Sequence, residues 1–454
     1  MKKINVVGEK MKSLKWSCFL SRIDRQDEEL SGSVLFHSIN RGVYYVPKEF
    51  MEEIDIYLSD NKLPSEGAKD AIVKLYHSGM LVDRDNDEST LTDRMRDEYY
   101  RQGIRSVFYF VPTWQCNFNC PYCIQHNTIH NQTDDQGTTM SLETARQCGK
   151  FMVEYAKQQA TKELLICFYG GEPLLAPLVD LEMMKAVKEL AGQDIRPDYI
   201  LITNGTLIRE NIILEMKAYG LNTVQITLDG PPKIHDKRRT YVNGRPSFMT
   251  IVDNIKKLHK WGLKVAVRVN IDSTNAKHIT ELIDILADFG IQHFAEIKFA
   301  PVDSWESSSE EIGHNASALQ WFGDIYKRTV EKGFYTTFWE SLCGIYGKSF
   351  FSIASDGKLY KCPSYTGIEE ETVGDIYNGV NEHYYDFINR DIPSACKECR
   401  WIGICGGGCL YQKYLKSPDY NADYCISQTF ESIMNAFFTY THKQKVQSYI
   451  NKSV

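Results

Sequence analysis

From residue 106 to about residue 300, short apolar runs suited to β-strands alternate with segments whose apolar residues recur at helical spacing. This alternation predicts a parallel sheet with helices between its strands, either open or partly closed into a barrel. Side chains that carry chemistry should then lie just beyond the C-terminal ends of the strands. The predicted strands cover residues 107–111, 164–169, 200–203, 224–228, 265–271 and 294–299. Four glycines fit left-handed positions at helix ends, namely Gly192, Gly220, Gly262 and Gly290.

The regions on either side of this pattern differ from it. Residues 34–50 predict two short strands around a turn at 40–42, followed by helices near 48–58 and 66–79 and a strand at 80–82. The charged run 83–88 is interpreted as a solvated linker and boundary. Beyond residue 340, cysteine, glycine and aromatic residues dominate up to residue 425, and a final helix is predicted over 427–449. The predicted domains are therefore residues 1–95, 106–335 and 340–430, with a C-terminal helix at 431–454.

Composition narrows the possible functions. The 454 residues correspond to about three domains at roughly 150 residues each. The net charge of -7 argues against a nucleic-acid partner. No apolar run approaches the roughly 18 residues of a membrane span, and the N-terminus lacks the apolar core of a signal peptide, so we expect a cytoplasmic protein without a membrane partner. In a reducing cytosol, clusters among the thirteen cysteines favour metal binding over disulfides.

The first cysteine cluster directly follows the first predicted barrel strand. Cys116, Cys120 and Cys123 have the spacing CxxxCxxC, which can bind three corners of a cubane iron-sulfur cluster and leave one iron without a protein ligand. The alternative is a structural zinc site with His126 or His130 as fourth ligand. The motif alone leaves these two readings nearly balanced, and its position at the mouth of a barrel favours the catalytic one.

At these cysteines the chain resembles the radical S-adenosylmethionine (radical SAM) enzymes. The resemblance implies that Tyr122 contacts the adenine of S-adenosylmethionine. It also implies that the GGEP motif after the second strand holds the methionine amino group, here Gly170, Gly171, Glu172 and Pro173. The third and fourth strands end in TNGTLI and TLDGPPKIHDKRR, which match further family segments.

In those two segments the resemblance places Asn204 and Thr227 beside S-adenosylmethionine. For Asp229 and Arg239, a role in bracing the loop is equally compatible with the sequence. His235 fits a packed loop residue. Cys148 and Cys167 fit the core, and Cys18 receives no role.

The second cysteine set is Cys343, Cys362, Cys396, Cys399, Cys405, Cys409 and Cys425. Its spacing resembles the SPASM extension of radical SAM enzymes, which binds two auxiliary clusters, and the whole resemblance covers roughly residues 106–430. It implies one cluster held by Cys396, Cys399, Cys405 and Cys425, and another held by only three thiolates, Cys343, Cys362 and Cys409. The latter would be open, or closed by a ligand other than cysteine. A pair of zinc ribbons is the alternative.

The expected fold is thus α/β: a partial (β/α)6 TIM-like barrel with an N-terminal winged-helix-like domain and a C-terminal SPASM domain. The resemblance implies three 4Fe-4S clusters, S-adenosylmethionine, and a flavodoxin or ferredoxin as reductant. A 5′-deoxyadenosyl radical would remove a hydrogen atom from the substrate, and the auxiliary clusters would accept the remaining electron.

Three functions follow from these expectations. The first is maturation of a ribosomally made precursor peptide by a thioether or carbon-carbon crosslink, with the N-terminal domain holding the leader peptide or merely capping the barrel. The second is anaerobic sulfatase maturation by formylglycine formation. In relatives of that kind, an aspartate that acts as a base stands where this chain has Pro363. This difference disfavours sulfatase maturation. The third, of another class, is a non-catalytic zinc-binding interaction module.

Overall fold

The computed structural model describes residues 14–26, 31–101, 105–125, 139–302, 316–337, 343–421 and 424–450. The described part of the N-terminal region, residues 14–101, contains two small antiparallel sheets and helices. Its strands are β1 (Leu14–Trp16), β2 (Leu20–Gln26), β3 (Ser31–His37), β4 (Val43–Pro47) and β5 (Leu81–Asp83). Strands β2, β3 and β4 pair in that order, and β1 pairs with β5. The helices are α1 (Lys48–Asp60), α2 (Glu66–His77) and α3 (Ser89–Arg96).

A parallel sheet forms the middle of the molecule and confirms the predicted alternation. Its strands are β6 (Arg105–Phe110), β7 (Glu163–Phe168), β8 (Arg196–Thr203), β9 (Leu221–Thr227), β10 (Lys264–Ile271) and β11 (Ala295–Pro301). Each strand pairs in parallel with the next one along the chain. The four predicted glycines have φ between 61° and 113°, which is the left-handed backbone that ends a helix without a Cβ clash.

Helices connect these strands and cover one face of the sheet. They are α4 (Leu142–Gln158), α5 (Pro177–Ala191), α6 (Glu210–Ala218), α7 (Pro232–Arg238), α8 (Phe248–Lys260), α9 (Ile279–Asp288), α10 (Ala316–Leu319) and α11 (Phe322–Glu331). Along β10 the odd-numbered residues are buried, whereas Arg268 and Asn270 are half-buried on the opposite face. This alternation leaves a partly open interior lined by the even-numbered side chains. Cys148 and Cys167 are both buried, as expected, and Cys148 belongs to the main apolar cluster.

The C-terminal region joins the sheet more closely than the sequence suggested. After β12 (Tyr335–Thr336) come β13 (Phe350–Ile353), β14 (Leu359–Tyr360), β15 (Gly374–Asp375) and β16 (Gly379–Val380). Strand β13 pairs in parallel with β6, so the nine strands found in one sheet within the described residues run β12-β11-β10-β9-β8-β7-β6-β13-β14. The helices here are α12 (Glu382–Ile388), α13 (Ile402–Cys405), α14 (Leu410–Lys416) and α15 (Ser427–Ile450).

The interpretation of residues 83–88 as a solvated linker is wrong at both ends. Asp83 belongs to β5, and its carboxylate accepts a hydrogen bond from Tyr76. Glu88 is buried, and its carboxylate accepts hydrogen bonds from the Ser17 hydroxyl and the Cys18 amide. The Glu88 side chain therefore links two segments of the N-terminal region. In the described part of the chain no helix is long and apolar enough to cross a membrane.

Candidate active site

The loop that carries the first cysteine set is held against the loop after β7 by backbone hydrogen bonds. The amides of Gly171 and Glu172 donate to the carbonyls of Thr113 and Gln115, at 3.1 and 2.8 Å. A Cβ atom on Gly171 would lie 2.1 Å from the Gln115 carbonyl oxygen, so only glycine allows this approach. Gly170 has φ of 122°, which also requires glycine. The GGEP glycines therefore fix the position of the cysteine loop.

Glu172 is fully buried between these two loops and β8. Its carboxylate accepts hydrogen bonds from the Thr203 hydroxyl and the Asn204 amide, both at 2.7 Å, and from the Leu174 amide at 3.1 Å. Burial raises the pKa of Glu172, and these donors oppose the shift. Pro173 begins the single helical turn that supplies the Leu174 amide. The Glu172 carboxylate thus organises the ends of two neighbouring strands.

Asn204 connects the end of β8 to the cysteine loop. Its side-chain amide donates to Asn117 at 2.7 Å, and Asn117 donates in turn to the Thr206 hydroxyl at 3.0 Å. Thr227 is the last residue of β9, is buried, and pairs with Arg268 on β10. Both predicted residues therefore lie at the edge of the sheet where the cysteine loop sits.

Tyr122 is anchored by the segment after β9. Its hydroxyl donates to the buried carboxylate of Asp229 and accepts a hydrogen bond from Arg239 at 2.8 Å. The Arg238 guanidinium lies 4.8 Å from the centre of the Tyr122 ring. Asp229 and Arg239 thus brace the cysteine loop, which is one of the two roles the sequence allowed.

His235 has the packing role expected of it. It is buried, accepts a hydrogen bond from the Asp229 amide through Nδ1, and pairs with the Ser247 hydroxyl through Nε2. Burial lowers its pKa well below the usual value, so the imidazole is neutral. It supports Asp229 from behind and does not reach the cysteine loop.

Many of the predicted cysteine ligands share one local geometry, in which the sulfur accepts a hydrogen bond from a backbone amide that follows it. The donors are Phe118 for Cys116, Gln125 for Cys123, Ile345 for Cys343, Ser364 for Cys362, Gly407 and Gly408 for Cys405, and Tyr411 and Gln412 for Cys409. Such donors stabilise a thiolate, the form in which cysteine binds metal. These sulfurs therefore fit an iron-sulfur cluster better than a packed core.

The first cysteine set also has a cation beside it. Burial raises the pKa of Cys120 to about 11, and the Arg239 guanidinium opposes this shift. Cys116 lies within electrostatic range of both Cys120 and Cys123, whose negative charges add to the effect of burial on its pKa. Three thiols from one loop, close together and next to a guanidinium, suit an anionic cluster.

The structure sorts the second set into two groups. Burial and the nearby thiols of Cys343 and Cys362 raise the pKa of Cys409 to about 12. Cys343 is solvent-accessible, and its thiol is near enough to Cys362 and Cys409 to add to the effect of burial in raising their pKa values. We place Cys343, Cys362 and Cys409 in one group, called group I below.

The remaining cysteines form group II. Burial raises the pKa of Cys405 to about 12, and the thiols of Cys396 and Cys399 contribute to that shift. Cys396 is influenced in the same way by Cys399 and Cys425. Group II is therefore Cys396, Cys399, Cys405 and Cys425. Between the groups, Gly406, Gly407 and Gly408 all have φ between 66° and 99°, which turns the amides of Gly407 and Gly408 toward the Cys405 sulfur.

Tyr169 connects the first cysteine set to group I. It directly follows β7. Burial makes the largest contribution to its raised pKa, the nearby thiols of Cys123 and Cys362 raise the pKa further, and Arg268 lowers it. Its ring packs edge-on against Tyr109, with centroids 5.8 Å apart. The interior of the sheet between the two cysteine sites is therefore lined by two tyrosines and an arginine.

Sequence reasoning missed several residues of this site. Asn117 and Gln125 sit within or just after the cysteine motif, and the side-chain amide of Gln125 is buried without a hydrogen-bond partner in the described residues. Tyr169 and Arg268 were counted only as parts of strands. Adjacency to a ligand cysteine could have singled out Gln125, whereas Arg268 needed the register of β10.

The zinc alternatives gain no support here. Within the described residues, no three histidine, cysteine or acidic side chains converge closely enough to hold a single metal ion. Thiolates that hold a cubane stand further apart than ligands of one ion, so this finding is compatible with a cluster. His126 and His130, the alternative zinc ligands, lie outside the described residues.

Comparison with known proteins identifies the domain that contains the first cysteine set. Residues 110–286 match the radical SAM superfamily. A cysteine-type anaerobic sulfatase-maturating enzyme of Clostridium novyi is 27% identical over 350 residues, which cover 70% of this chain and 91% of that protein. The radical SAM cyclopropyl synthase TigE of Paramaledivibacter caminithermalis is 21% identical over 440 residues, which cover 87% of this chain and 89% of that protein. The crystal structure of native anSMEcpe with bound AdoMet superposes with a TM-score of 0.58 at 20% identity, covering 76% of this chain and 99% of that one. This chain therefore carries a radical SAM domain at residues 110–286.

Proposed function

We propose that this enzyme matures a ribosomally made precursor peptide by removing a hydrogen atom and forming a thioether or carbon-carbon crosslink. The observation that carries the proposal is the N-terminal region docked on the loop of group II. The Arg41 guanidinium donates to the Gly403 carbonyl at 2.7 Å, and the Thr92 hydroxyl donates to the Lys397 carbonyl at 2.8 Å. A module fixed beside the cysteine-rich region can present a long peptide to the site.

The shape of that region supports peptide binding. In the sheet β2-β3-β4 both outer strands have one edge without a partner strand among the described residues. A leader peptide in extended conformation could add a strand to such an edge, with main-chain hydrogen bonds providing affinity. We propose that residues 1–95 form a winged-helix-like leader-binding domain and residues 340–430 a SPASM domain, from which the C-terminal helix α15 (Ser427–Ile450) continues.

A radical SAM domain implies a 4Fe-4S cluster and S-adenosylmethionine. When bound, they supply a 5′-deoxyadenosyl radical that removes hydrogen from an unactivated carbon. Cys116, Cys120 and Cys123 would hold the cluster. Tyr122, Asn204, Thr227 and the GGEP residues would hold S-adenosylmethionine at the strand ends.

The chain's own contribution is to hold these parts in place and to shape the substrate space. Asp229 and Arg239 fix Tyr122, and Glu172 fixes the loop around the cysteines. Tyr109, Tyr169 and Arg268 line the space in which the peptide would lie. We further propose that groups I and II hold two auxiliary clusters, which makes three 4Fe-4S clusters. A flavodoxin or ferredoxin would be the reductant in the cytoplasm.

Sulfatase maturation is the second candidate, because the Clostridium novyi relative named above carries that activity in its name. Against it stands Pro363, which begins a helical turn directly after Cys362 and offers no carboxylate. The match to the cyclopropyl synthase TigE extends over 87% of this chain, against 70% for the sulfatase-maturating enzyme.

A single anaerobic experiment tests the proposal. The reconstituted protein is analysed for iron, sulfide and zinc, and is then incubated with dithionite, S-adenosylmethionine and one of two peptides. One is a synthetic precursor peptide that joins a leader segment to a cysteine-containing core, and the other is a cysteine-containing sulfatase peptide. Loss of two hydrogen atoms from the first peptide supports the proposal. Formylglycine in the second peptide favours sulfatase maturation, and zinc without sulfide or 5′-deoxyadenosine overturns both.

A further inference from the structure

The segment of residues 240–245 follows α7 and packs on the loop of the first cysteine set. The Asn119 amide donates to the Thr240 carbonyl at 3.1 Å, and the Val242 amide donates to the Asn117 carbonyl at 3.0 Å. Asn119 is exposed, so the cysteine loop itself reaches the surface here. The exposed part of that loop is therefore continuous with the surface of residues 240–245.

Two aromatic rings connect this surface to a cysteine sulfur. The buried ring of Phe118 meets that of Tyr241 edge-on, with centroids 5.1 Å apart. The guanidinium of the exposed Arg245 lies 5.4 Å from the centre of the Tyr241 ring. On the inner side, the Phe118 amide donates to the Cys116 sulfur at 3.4 Å. A protein that contacts Arg245 is therefore separated from the first cysteine set by little more than these two rings.

The chain around this surface is basic, although the whole protein is acidic. Residues 230–252 contain five lysines and arginines and one aspartate, a net charge of +4, whereas the whole chain carries -7. The aspartate is Asp236, whose carboxylate accepts hydrogen bonds from the amides of Ser247 and Phe248 at 2.8 and 2.9 Å. These bonds hold the segment after residue 239 back against α7. The cations of α7 and of residues 240–245 therefore belong to one surface.

Two of the five cations are engaged internally. Arg238 pairs with Asp272 at 2.7 Å, and Arg239 donates to Tyr122 at 2.8 Å. The other three are exposed and form no ion pair with a described residue, namely Lys233, Lys237 and Arg245. The two lysines are four residues apart, so they share one face of α7. Beside these cations Val242 is 70% exposed, and we call Lys233, Lys237, Val242 and Arg245 the basic face.

The position of the basic face indicates what it would bind. A cationic surface steers an acidic protein toward it, and an exposed apolar residue among charged ones is typical of an interface. In the proposed function the peptide lies in the interior lined by Tyr109, Tyr169 and Arg268, whereas the basic face adjoins the exposed part of the cysteine loop. The cluster held by that loop would need one electron from outside for each cleavage of S-adenosylmethionine. An electron donor is therefore the partner that this location fits.

We infer that the basic face is the docking surface for an acidic electron carrier of the flavodoxin type. The apolar edge of its flavin ring would meet Val242, and acidic side chains around the flavin would pair with Lys233, Lys237 and Arg245. One electron passes from the reduced flavin to the cluster at the first cysteine set, and no atom is exchanged. This inference rests on the proposed function, because it needs that cluster in place.

The first test measures binding and not turnover. The reconstituted full-length enzyme is titrated with oxidised, FMN-loaded flavodoxin in a calorimeter, at low and at high salt. Reversing the three charges together by Lys233→Glu, Lys237→Glu and Arg245→Glu should raise the dissociation constant about tenfold or more at low salt, since electrostatic steering contributes on that scale. High salt should remove most of the difference. The matched control is Lys264→Glu, an exposed lysine at the first residue of β10 and thus at the opposite edge of the sheet, which should bind like the parent.

The second test separates the electron donor from the chemistry. With flavodoxin kept reduced by its reductase, 5′-deoxyadenosine should form about tenfold more slowly in the triple variant than in the parent, in line with the weaker docking. With dithionite, which needs no docking surface, the two proteins should be equally fast. If the charge-reversed protein does not fold, the same three residues changed to glutamine decide the question.

Three results would overturn the inference while leaving the proposed function intact. One is equal flavodoxin affinity in the parent and the triple variant. Another is binding of a ferredoxin but not of flavodoxin. The third is slower peptide modification by the triple variant with dithionite, which would assign the basic face to an acidic peptide. A parent protein that forms no 5′-deoxyadenosine even with dithionite overturns the proposed function itself, so the two failures can be told apart.

Discussion

The two cysteine regions are built in opposite ways. The first set comes from one loop of eight residues, 116–123, and is braced by the ends of β7, β8 and β9 through Glu172, Asn204 and Asp229. The second set is spread from Cys343 to Cys425 and is brought together by long-range packing. Around Tyr365 this packing consists of aromatic rings, with centroids 5.3 Å from Tyr411 and 5.7 Å from Tyr414.

This difference in construction indicates that the two cysteine regions have different roles. A short braced loop fixes three thiols relative to the neighbouring strand ends, as is needed where a cofactor must be oriented closely. A dispersed set depends on the folding of the whole C-terminal region. That region also contributes β13, which pairs with β6 in the barrel sheet. We therefore expect that damage to the first region removes chemistry without unfolding, whereas damage to the second weakens both stability and product formation.

The largest expected effect comes from emptying one region at a time. Replacing Cys116, Cys120 and Cys123 with alanine should abolish 5′-deoxyadenosine formation, because no thiolate then remains to hold the reactive cluster. Replacing Cys409 alone should spare some cofactor cleavage and stop product formation. Both are measured by chromatography of the anaerobic reaction, with circular dichroism as a check of folding. Cleavage that persists in the triple variant would refute the catalytic assignment, and normal product in the Cys409 variant would remove group I from the mechanism.

The next effect should come from Gly171→Ala, which targets the brace of the first region. The new Cβ would lie 2.1 Å from the Gln115 carbonyl and 2.5 Å from that of Trp114, so the cysteine loop must move. We expect loss of the iron bound by the first set, with auxiliary iron retained. Iron and sulfide analysis of the purified variant measures this. Wild-type iron content would show that the loop tolerates the shift and that the brace is dispensable.

A matched control is Gly323→Ala in α11. No atom lies within 4 Å of the position its Cβ would take. Because Gly323 is the second residue of α11, alanine should gain less than the about 1 kcal/mol typical of a helix interior, so this variant should bind all its iron and melt at an equal or slightly higher temperature.

These contrasts explain which parts of the structure the sequence predicts. The parallel strands, the glycines that end helices and the CxxxCxxC and GGEP segments follow from local patterns, because period and spacing carry the information. The pairing of β13 with β6 and the burial of Glu88 depend on contacts between segments distant in sequence, which no local pattern encodes. Arg268 was missed for the same reason, because it is an ordinary strand residue until the register of β10 shows what it faces.

A third prediction concerns the attachment of the N-terminal region to group II. Gly403 lies in α13, and a Cβ on it would approach the Ser38 carbonyl oxygen to 2.2 Å. Gly403→Ala should therefore weaken the docking and cost about 1–3 kcal/mol, in the range of overpacked cores. Thermal unfolding and limited proteolysis between residues 14 and 101 would report it. In our proposal precursor modification falls while cleavage of S-adenosylmethionine without peptide persists. Unchanged peptide modification would mean that the region only caps the barrel.

The smallest expected effect tests the polar rim of the same contact. Arg96 donates to Asp391 at 2.7 Å, but the Asp391 side chain is 88% exposed, so water screens the pair. Asp391→Asn should change the free energy of unfolding by less than about 1 kcal/mol, the usual contribution of an exposed ion pair. Raising the salt concentration should reduce even this difference. Chemical denaturation of the two proteins at low and high salt measures it. A large loss would place the strength of the docking in surface charge, whereas a small one leaves it with the close approach of Gly403 to Ser38 and the hydrogen bonds made by Arg41 and Thr92.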